Sequence, residues 1–243
     1  MANFVYTDSP EEQDASVTNK RNFYIGGSEL NGIFEAFYKG DIIQNIFEKL
    51  CYIDRSETDL PQPDWAEFGH KAEEIIRNYV NRKFNVNYRP GVAINESKQS
   101  RTNVDGYDPN AENQLWECKT YSGKEDITKY TKQIVYYMLR NNISSCLLTT
   151  LHKDVVDENG KKIRNITIEE LNDEELEKRL HFHIIKFKDH ELLASQIDNI
   201  CDEYIKLYNY ISNSKLMQKY IADYKSMIVN ENDMISEFMK SFN

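Results

Sequence analysis

The segment QLWECKTY, residues 114–121, places opposite charges inside what is otherwise an apolar strand. Successive side chains of a β-strand point to opposite faces, so Glu117 and Lys119 share one face while Trp116 and Cys118 share the other. Two explanations fit this pattern: a surface ion pair on an edge strand, or a buried site that needs both charges. Because a bare pattern of this kind is common by chance, the surrounding sequence has to decide between them.

The segments around this strand predict a sheet between helices. Apolar residues at helical spacing follow Ser28, which we expect to cap a helix, and the same spacing runs over residues 65–84. The remaining patterns are, in chain order, strands over 91–97, 102–107 and 114–121, a helix over 126–142, a strand over 144–151, a hairpin turn at 157–162, a strand over 181–187 and helical residues from 189 onward. This order predicts an α/β (α+β) chain with a central mixed β-sheet flanked by helices.

The composition is that of a soluble globular protein. Hydrophobic residues make up 40% of the chain. No stretch approaches the roughly 18 apolar residues of a membrane span, and residues 1–20 lack the basic and apolar regions of a signal peptide. We therefore expect a cytoplasmic protein with no membrane contact. The dispersed cysteines form no CxxC pair, which predicts reduced core cysteines and no iron–sulfur cluster. They are Cys51, Cys118, Cys146 and Cys201.

Charge is distributed unevenly along the chain. The net charge is −10, yet residues 81–140 hold ten Lys and Arg against seven Asp and Glu. A protein that binds nucleic acid is expected to be basic where it touches phosphate. Overall acidity concerns solubility and does not exclude a basic groove, and the locally basic part of the chain contains the strand described above.

Asp105 adds a second carboxylate to Glu117 and Lys119. It ends the strand-like segment that precedes QLWECKTY, so pairing of the two strands would bring it beside Glu117. Two adjacent carboxylates repel unless they are protonated or bridged by a cation, and Mg²⁺ suits such oxygens. Bound Mg²⁺ can generate a nucleophile from water, and a neighbouring ammonium can stabilise charge that develops on phosphate. These residues therefore supply the parts for metal-assisted phosphodiester hydrolysis.

Two further motifs lie in order around these residues. GHKAE supplies Gly69 and Glu73 on the long helix, and QIVYY supplies Gln133 and Tyr137, which are four apart and share one helical face. Together with the Asp-Gly, turn and Glu-x-Lys of VDGYDPNAENQLWECK, these motifs resemble the PD-(D/E)xK nuclease superfamily. The resemblance is to the branch that contains lambda exonuclease, the YqaJ-type viral recombinases and the RecB-like nucleases.

The resemblance implies roles for the residues that match the family's motifs. The implied catalytic residues are Asp105, Glu117, Lys119, Gln133 and Tyr137. The implied metal ligands are Asp105, Glu117 and, in support, Glu73. Mg²⁺ is the implied ion, although Mn²⁺ suits a carboxylate site as well. The sequence departs from the family in lacking the usual proline before the first aspartate. The turn is also long and contains two rival ligands, Asp108 and Glu112.

The segment RNFYIGGSEL is similar to a terminal-phosphate site of the same family branch. Lambda exonuclease holds the 5′-phosphate of DNA with an arginine and a serine seven residues apart, and Arg21 and Ser28 have that separation. A helix N-terminus binds phosphate through its free N–H groups, and an arginine adds a bidentate partner. Taken alone, an ordinary helix cap and a solvated charge explain the two residues as well.

Polar residues outside these motifs have a plain explanation beside the functional one. Lys124 and Lys129 follow the charged strand, where they either line a DNA groove or form a solvated helix face. His181 and His183 alternate with Phe182 in a strand. We interpret the two histidines as part of a half-buried strand face rather than as a metal site.

The resemblance also implies domain limits and a fold. We expect a restriction-endonuclease-like core over residues 21–187, preceded by a flexible N-terminal segment over residues 1–20. A helical C-terminal extension, residues 188–243, is expected to pack on that core.

The implied activity is that of a Mg²⁺-dependent deoxyribonuclease. It would degrade duplex DNA 5′→3′ from its ends in phage-type recombination and leave 3′ single strands for a single-strand annealing protein. A ring-shaped homotrimer is implied by the resemblance alone. Three alternatives stay open: an endonuclease of the same superfamily for restriction, repair or DNA degradation; a non-catalytic DNA-binding module that keeps the fold; and an unrelated globular interaction protein.

Overall fold

Strands of the described chain form one large sheet and one small hairpin. The computed structural model describes residues 4–7, 23–51 and 64–240, with the side chains of the last range from residue 67 to residue 227. The strands are β1 Val5–Tyr6, β2 Ile25–Gly26, β3 Arg89–Asn95, β4 Ser100–Tyr107, β5 Gln114–Tyr121, β6 Ser145–His152, β7 Asp154–Val156, β8 Lys162–Asn165 and β9 Leu180–Lys186. Within these residues the sheet has the order β1-β3-β4-β5-β6-β9, with β2 also against β4, while β7 and β8 pair separately.

The sheet is mixed, as the sequence predicts. β5 and β6 run parallel, because the helix between them returns the chain to the same end of the sheet, whereas β3–β4, β4–β5 and β6–β9 are antiparallel. The helices are α1 Leu30–Lys39, α2 Ile42–Leu50, α3 Asp64–Phe84, α4 Thr128–Asn141, α5 Asp173–Arg179, α6 Glu191–Ser212 and α7 Lys215–Lys240.

Helices cover both faces of the sheet. One apolar cluster joins α1, α2, α4 and α6 to one face. The other cluster joins α3 and α5 to the opposite face, where Trp116 and Cys118 of β5 lie. Trp116 is fully buried, and its indole Nε1 donates to Thr149 Oγ1 at 2.9 Å. The indole of Trp116 is therefore buried without leaving an unpaired donor.

An interruption in strand pairing, here called the sheet gap, shapes the middle of the molecule. β2 pairs with β4 only at Ser100 and Arg101, and β5 pairs with β4 only at Gly106 and Tyr107. Among the described strands, none pairs with residues 102–105 along this edge of β4. Asn141 of α4 partly fills the space, since its Nδ2 donates to Thr102 Oγ1 at 2.9 Å. The sheet gap exposes polar groups in the interior of an otherwise apolar sheet.

The N-terminal residues correct one expectation. Within the segment predicted to be flexible, Val5 and Tyr6 form β1 and pair antiparallel with β3. The pairing is supported by aromatic contacts, because the Arg89 guanidinium lies 4.8 Å from the centre of the Tyr6 ring. The rings of Phe4 and Tyr107 are 4.8 Å apart between centroids.

Ser28 does not cap a helix, so that expectation is wrong. A 3-10 turn, Gly27–Glu29, precedes α1, and Ser28 lies exposed within it. The capping is done by Glu29, whose Oε2 accepts from the Gly26 N–H at 2.5 Å. Glu29 also pairs with Lys49 of α2. Glu29 thus binds the backbone N–H at the start of the 3-10 turn, and the first residue before α1 is Glu29 rather than Ser28.

Two further observations concern the chain as a whole. Each of the four cysteines is buried and free. None of the described helices combines the length and the apolar character that crossing a membrane requires.

Candidate active site

The sheet gap brings Asp105 of β4 together with Glu117 and Lys119 of β5. The Lys119 ammonium lies 3.0 Å from Glu117 Oε2 and 3.9 Å from Asp105 Oδ2. The alternation of β5 explains why Glu117 and Lys119 meet, since residues two apart share a strand face. The pair is a buried one rather than a surface ion pair, because the Glu117 side chain is only 1% exposed.

Asp105 is held by the backbone of β5. Its Oδ2 accepts from the Cys118 N–H at 2.8 Å. β5 leaves β4 after Trp116, so this N–H faces the gap, and a buried amide without an acceptor would cost free energy. The carboxylate therefore completes a sheet hydrogen bond and is fixed beside Glu117 by doing so.

Glu117 has an oxygen with no hydrogen-bond partner. No donor among the described residues reaches its buried Oε1. Burial, followed by the negative charge of Asp105, raises the pKa of Glu117 well above its ordinary value although Lys119 acts against the shift. A buried carboxylate oxygen without a partner is costly, and a bound cation would remove that cost.

Glu73 reaches the same region from α3 with the help of Arg77. Arg77 Nη1 donates to Glu73 Oε1 at 2.9 Å and to the carbonyl oxygen of Asp105 at 3.1 Å. Burial and the charge of Asp105 raise the pKa of Glu73, whereas Arg77 lowers it. Arg77 was missed at the level of sequence. Its signal was the (i, i+4) spacing from Glu73 next to the buried stripe of α3.

Two cations are interleaved with the three carboxyl groups. Burial acts to lower the pKa of Lys119, but Glu117 and Asp105 outweigh it and hold the pKa well above its ordinary value. Ligand oxygens of Glu73, Asp105 and Glu117 do not all lie within 4.8 Å of one another. Asp105 and Glu117, which both lie within 4 Å of the Lys119 ammonium, are therefore the primary candidate ligands, and Glu73 is the candidate supporting residue.

Gln133 and Tyr137 form the α4 side of the site. Gln133 Nε2 donates to the Tyr137 hydroxyl at 2.8 Å, as their (i, i+4) spacing predicts. Burial and then Glu117 raise the pKa of Tyr137. A Cβ added to Gly27 would come within 2.4 Å of Tyr137 Cε1 and 3.0 Å of Gln133 Cγ. The turn that contains Ser28 is therefore packed directly against these two side chains.

The remaining predicted residues fall into three groups. Arg21 lies outside the described residues. Lys124, in the loop after β5, and Lys129, in the first turn of α4, have exposed side chains. Asp108 has a structural role, because it accepts from the backbone N–H groups of Asn87 and Asn110. Glu112 is exposed and has a positive φ of 44° in the turn. The structure brings neither rival ligand to Asp105 and Glu117.

The donor set fits a hard divalent cation. Every candidate ligand is a carboxylate oxygen, and the oxygen of Glu117 that lacks a partner is the kind of atom that such an ion satisfies. Mg²⁺ binds through one or two carboxylates and keeps several waters. Asp105 and Glu117 alone would meet that requirement.

The fold of the chain is similar to that of solved exonucleases. No protein-family model matches the sequence, and no curated protein matches it either. Several solved structures do match the fold of the chain. The resemblance deduced from the motifs is thereby confirmed at the level of fold, as is the mixed sheet with a helical C-terminal part.

Two proteins illustrate the likeness. A phage-related exonuclease from Haemophilus somnus 129PT has a TM-score of 0.53 and 13% identity, over 81% of this chain and 98% of its own. An alkaline exonuclease from Laribacter hongkongensis, LHK-Exo, has a TM-score of 0.50 and 12% identity, over 90% of this chain and 98% of its own. LHK-Exo in complex with dAMP has a TM-score of 0.52 and 13% identity over the same shares.

Proposed function

We propose that the chain is a Mg²⁺-dependent deoxyribonuclease that degrades duplex DNA from its ends in the 5′→3′ direction. The observation that carries this proposal is the group of three in the sheet gap: buried Glu117 with an unpartnered Oε1, half-buried Lys119 at 3.0 Å from its Oε2, and half-buried Asp105 alongside. The fold shared with a phage-related and an alkaline exonuclease supports it. The complex of LHK-Exo with dAMP supports a nucleotide as the kind of ligand.

Asp105 and Glu117 would hold the ion, and Glu73 would assist. Mg²⁺, or Mn²⁺ in its place, would act there as a Lewis acid towards phosphate and would lower the pKa of water. Arg77 holds Glu73 and the Asp105 carbonyl in place, so the ligands are positioned by contacts that already exist.

The side chains of the chain itself have separate tasks. Lys119 is a half-buried cation that would stabilise the negative charge that develops on phosphate. The Tyr137 hydroxyl accepts from Gln133 and stays protonated, so it can donate towards the site. The apolar clusters on both sides of the gap limit the access of water.

DNA contacts follow from the same proposal. Ser28, in the turn packed against Tyr137, would hold a terminal 5′-phosphate, and Arg21 would provide the bidentate partner. Lys124 and Lys129 would neutralise phosphates of the duplex on the α4 side. A ring-shaped trimer and a single-strand annealing partner in phage-type recombination belong to the proposal as well.

The first experiment compares three DNA substrates. Linear duplex with a 5′-phosphate, linear duplex without one and a closed circle are incubated with Mg²⁺ or with EDTA. We expect loss of linear DNA that requires Mg²⁺, is faster with the 5′-phosphate and falls by about 100- to 1,000-fold in Lys119→Ala. The matched control is Lys206→Ala, since the Lys206 side chain is 70% exposed on α6.

The outcomes separate the alternatives. Cleavage of the closed circle would replace the exonuclease with an endonuclease. If the chain binds DNA but cleaves none of the substrates with either Mg²⁺ or Mn²⁺, it is a non-catalytic DNA-binding module. If the chain neither binds nor cleaves DNA, the proposal is overturned. Light scattering after size exclusion tests the trimer separately, because a single-chain mass at working concentration contradicts it.

A further inference from the structure

A second cluster of ligating side chains lies on the same sheet face as the candidate active site. Glu117 and Lys119 of β5 are in register with Leu148 and Thr150 of β6. Those residues are in turn in register with His183 and His181 of β9. Strands are spaced by about 4.8 Å, so the histidines lie about 10 Å from the catalytic pair, two strands away.

Glu125 approaches the two histidines from the loop between β5 and α4. Its Oε2 lies 2.9 Å from His181 Nδ1, and its Oε1 lies 2.8 Å from His183 Nε2. One ligand atom from each of the three residues lies within 4.8 Å of the other two. A hydrogen bond from β6 also holds the Glu125 carboxylate, because the buried Thr150 hydroxyl donates to Oε1.

The cluster is accessible from solvent on one side. His181 is 49% exposed, His183 27% and Glu125 22%. The Tyr121 hydroxyl lies 3.3 Å from His181 Nδ1 and adds an oxygen donor at the rim. Two imidazole nitrogens and one carboxylate, with an open side for water, are the ligand types of transition-metal sites rather than of Mg²⁺.

We propose that Glu125, His181 and His183 form a second metal site, separate from the catalytic carboxylates, that takes a divalent transition-metal ion such as Zn²⁺. The inference does not rest on the proposed nuclease activity. It revises the interpretation of the two histidines as part of a plain strand face. The sequence does not show that Glu125 contacts the two histidines or that Thr150 donates to Glu125.

The site would tie together elements that lie near the catalytic residues. Asp126, next to Glu125, accepts from the Thr128 N–H at the start of α4. α4 carries Gln133 and Tyr137. An ion on Glu125 would therefore fix the connection between β5 and α4 to the edge strand β9 and raise the thermal stability of this part of the molecule.

The test measures Zn²⁺ binding rather than DNA cleavage. Competition with a chromophoric chelator gives stoichiometry and affinity for the full chain, in a background that carries Asp105→Asn and Glu117→Gln so that the catalytic carboxylates do not contribute. We expect one Zn²⁺ per chain. His181→Ala together with His183→Ala should weaken binding by more than the roughly 100-fold that loss of an outer-shell partner can cost. His190→Ala, in a histidine outside the cluster, is the matched control.

A second measurement identifies the ligand atoms. The chain has five histidines, so their ring nitrogens can be assigned by ¹H–¹⁵N spectra. Zn²⁺ should shift Nδ1 of His181 and Nε2 of His183 and leave His70 and His190 unchanged. Glu125→Gln, which keeps the side-chain shape, should weaken binding even if the double histidine variant fails to fold. Equal Zn²⁺ affinity in the control and cluster variants, or no saturable binding at all, would overturn the proposal and leave a hydrogen-bonded Glu–His triad.

Discussion

At the scale of single residues, the Glu117–Lys119 pair shows what a charged pair does inside a sheet. The ammonium satisfies one oxygen of Glu117, while the other has no donor among the described groups. Among the described residues, three carboxyl groups share the region with two cations, Lys119 and Arg77. Without a bound cation these groups would be short of positive charge, so either protonation or a cation would stabilise them.

This shortage predicts a pH-dependent stability. Burial and the charge of Asp105 raise the pKa of Glu73 to about 9 and that of Glu117 to about 8. Because these values exceed those of the unfolded chain, the folded state binds more protons. The stabilisation is fully present below the unfolded pKa and is lost as the pH rises through the folded values. We expect the melting temperature of the EDTA-treated protein to fall between about pH 6 and about pH 9, and Mg²⁺ to restore more of it at the higher pH.

Glu117→Gln provides the matching variant for this measurement. The amide cannot ionise, so the melting temperature should fall less with rising pH and respond less to Mg²⁺. Glu158→Gln, in the exposed tip between β7 and β8, should behave as the wild type does. A melting temperature of the metal-free wild type that rises with pH over this range would contradict the assignment of buried, raised-pKa carboxyls.

Arg77 leads to a prediction about metal affinity. Since it holds Glu73 and the Asp105 carbonyl without touching a phosphate position, Arg77→Ala should act on the ion rather than on the chemistry. The Mg²⁺ concentration for half-maximal cleavage should rise by about 10- to 100-fold, while cleavage at saturating Mg²⁺ changes less. Arg82→Ala is the control, because Arg82 is 60% exposed and pairs with Asp173. An unchanged Mg²⁺ requirement would show that Arg77 does not position the ligands.

At the scale of elements, the 3-10 turn before α1 is coupled to α4 by close packing. Gly27→Ala would place a methyl group 2.4 Å from the Tyr137 ring. Because both sides are buried, one of them must move, at a cost of about 1–3 kcal/mol. We expect a lower melting temperature and weaker cleavage, with a larger loss on 5′-phosphorylated ends than on unphosphorylated ends.

Gly32→Ala is the control for this variant. A Cβ at Gly32 in α1 would meet only Asn45 Nδ2, at 3.8 Å. Alanine is also the better helix former, by about 1 kcal/mol, so Gly32→Ala should melt at a higher temperature and cleave DNA normally. Equal behaviour of the two variants would argue against the coupling of the turn to Tyr137.

The elements also show how far sequence reasoning reaches into the site. Strand alternation placed Glu117 and Lys119 on one face, and helical spacing paired Gln133 with Tyr137. Asp105 was expected beside Glu117 through strand pairing. Instead the strands separate there, and Asp105 is held by the Cys118 N–H. Glu125 was missed because its histidine partners come from another element, so only tertiary packing brings them together. The contact of Arg77 with the Asp105 carbonyl depends on tertiary packing in the same way, although its pairing with Glu73 lies within α3.

At the scale of the whole molecule, the order of strands and helices was predictable and the sheet gap was not. Long elements such as α3 and β5 follow from their own periodicity. β1 and β2 have two residues each, which is too short for a pattern to appear, and they depend on pairing with distant strands. The sheet gap follows from the place where β2 ends and β5 begins along β4, which is a property of the assembled sheet.

The expected boundary at residue 188 can be tested by truncation. Ile197, Cys201 and Tyr204 of α6 are at most 1% exposed and belong to the same apolar cluster as the sheet. Removing buried residues of this size costs about 2–5 kcal/mol each, against a total stability of about 5–15 kcal/mol. A chain that ends at residue 187 should therefore show no cooperative thermal unfolding.

A chain that ends at residue 214 is the matched control. It loses α7, whose described side chains include the exposed Leu216, Tyr220 and Met227. Cooperative unfolding and Mg²⁺-dependent cleavage should be retained. If the shorter chain also unfolded cooperatively, α6 would be a separable extension rather than part of the core.

The hydrogen bond from the Cys118 N–H to Asp105 provides a spectroscopic reporter. Its acceptor is a side-chain oxygen, so the chemical shift of this amide proton depends on the charge of the Asp105 carboxylate. Cys118 is buried and its side chain lies on the face opposite Glu117 and Lys119. One backbone resonance, recorded during a titration with Mg²⁺, would therefore follow occupancy of the proposed metal site in the absence of DNA.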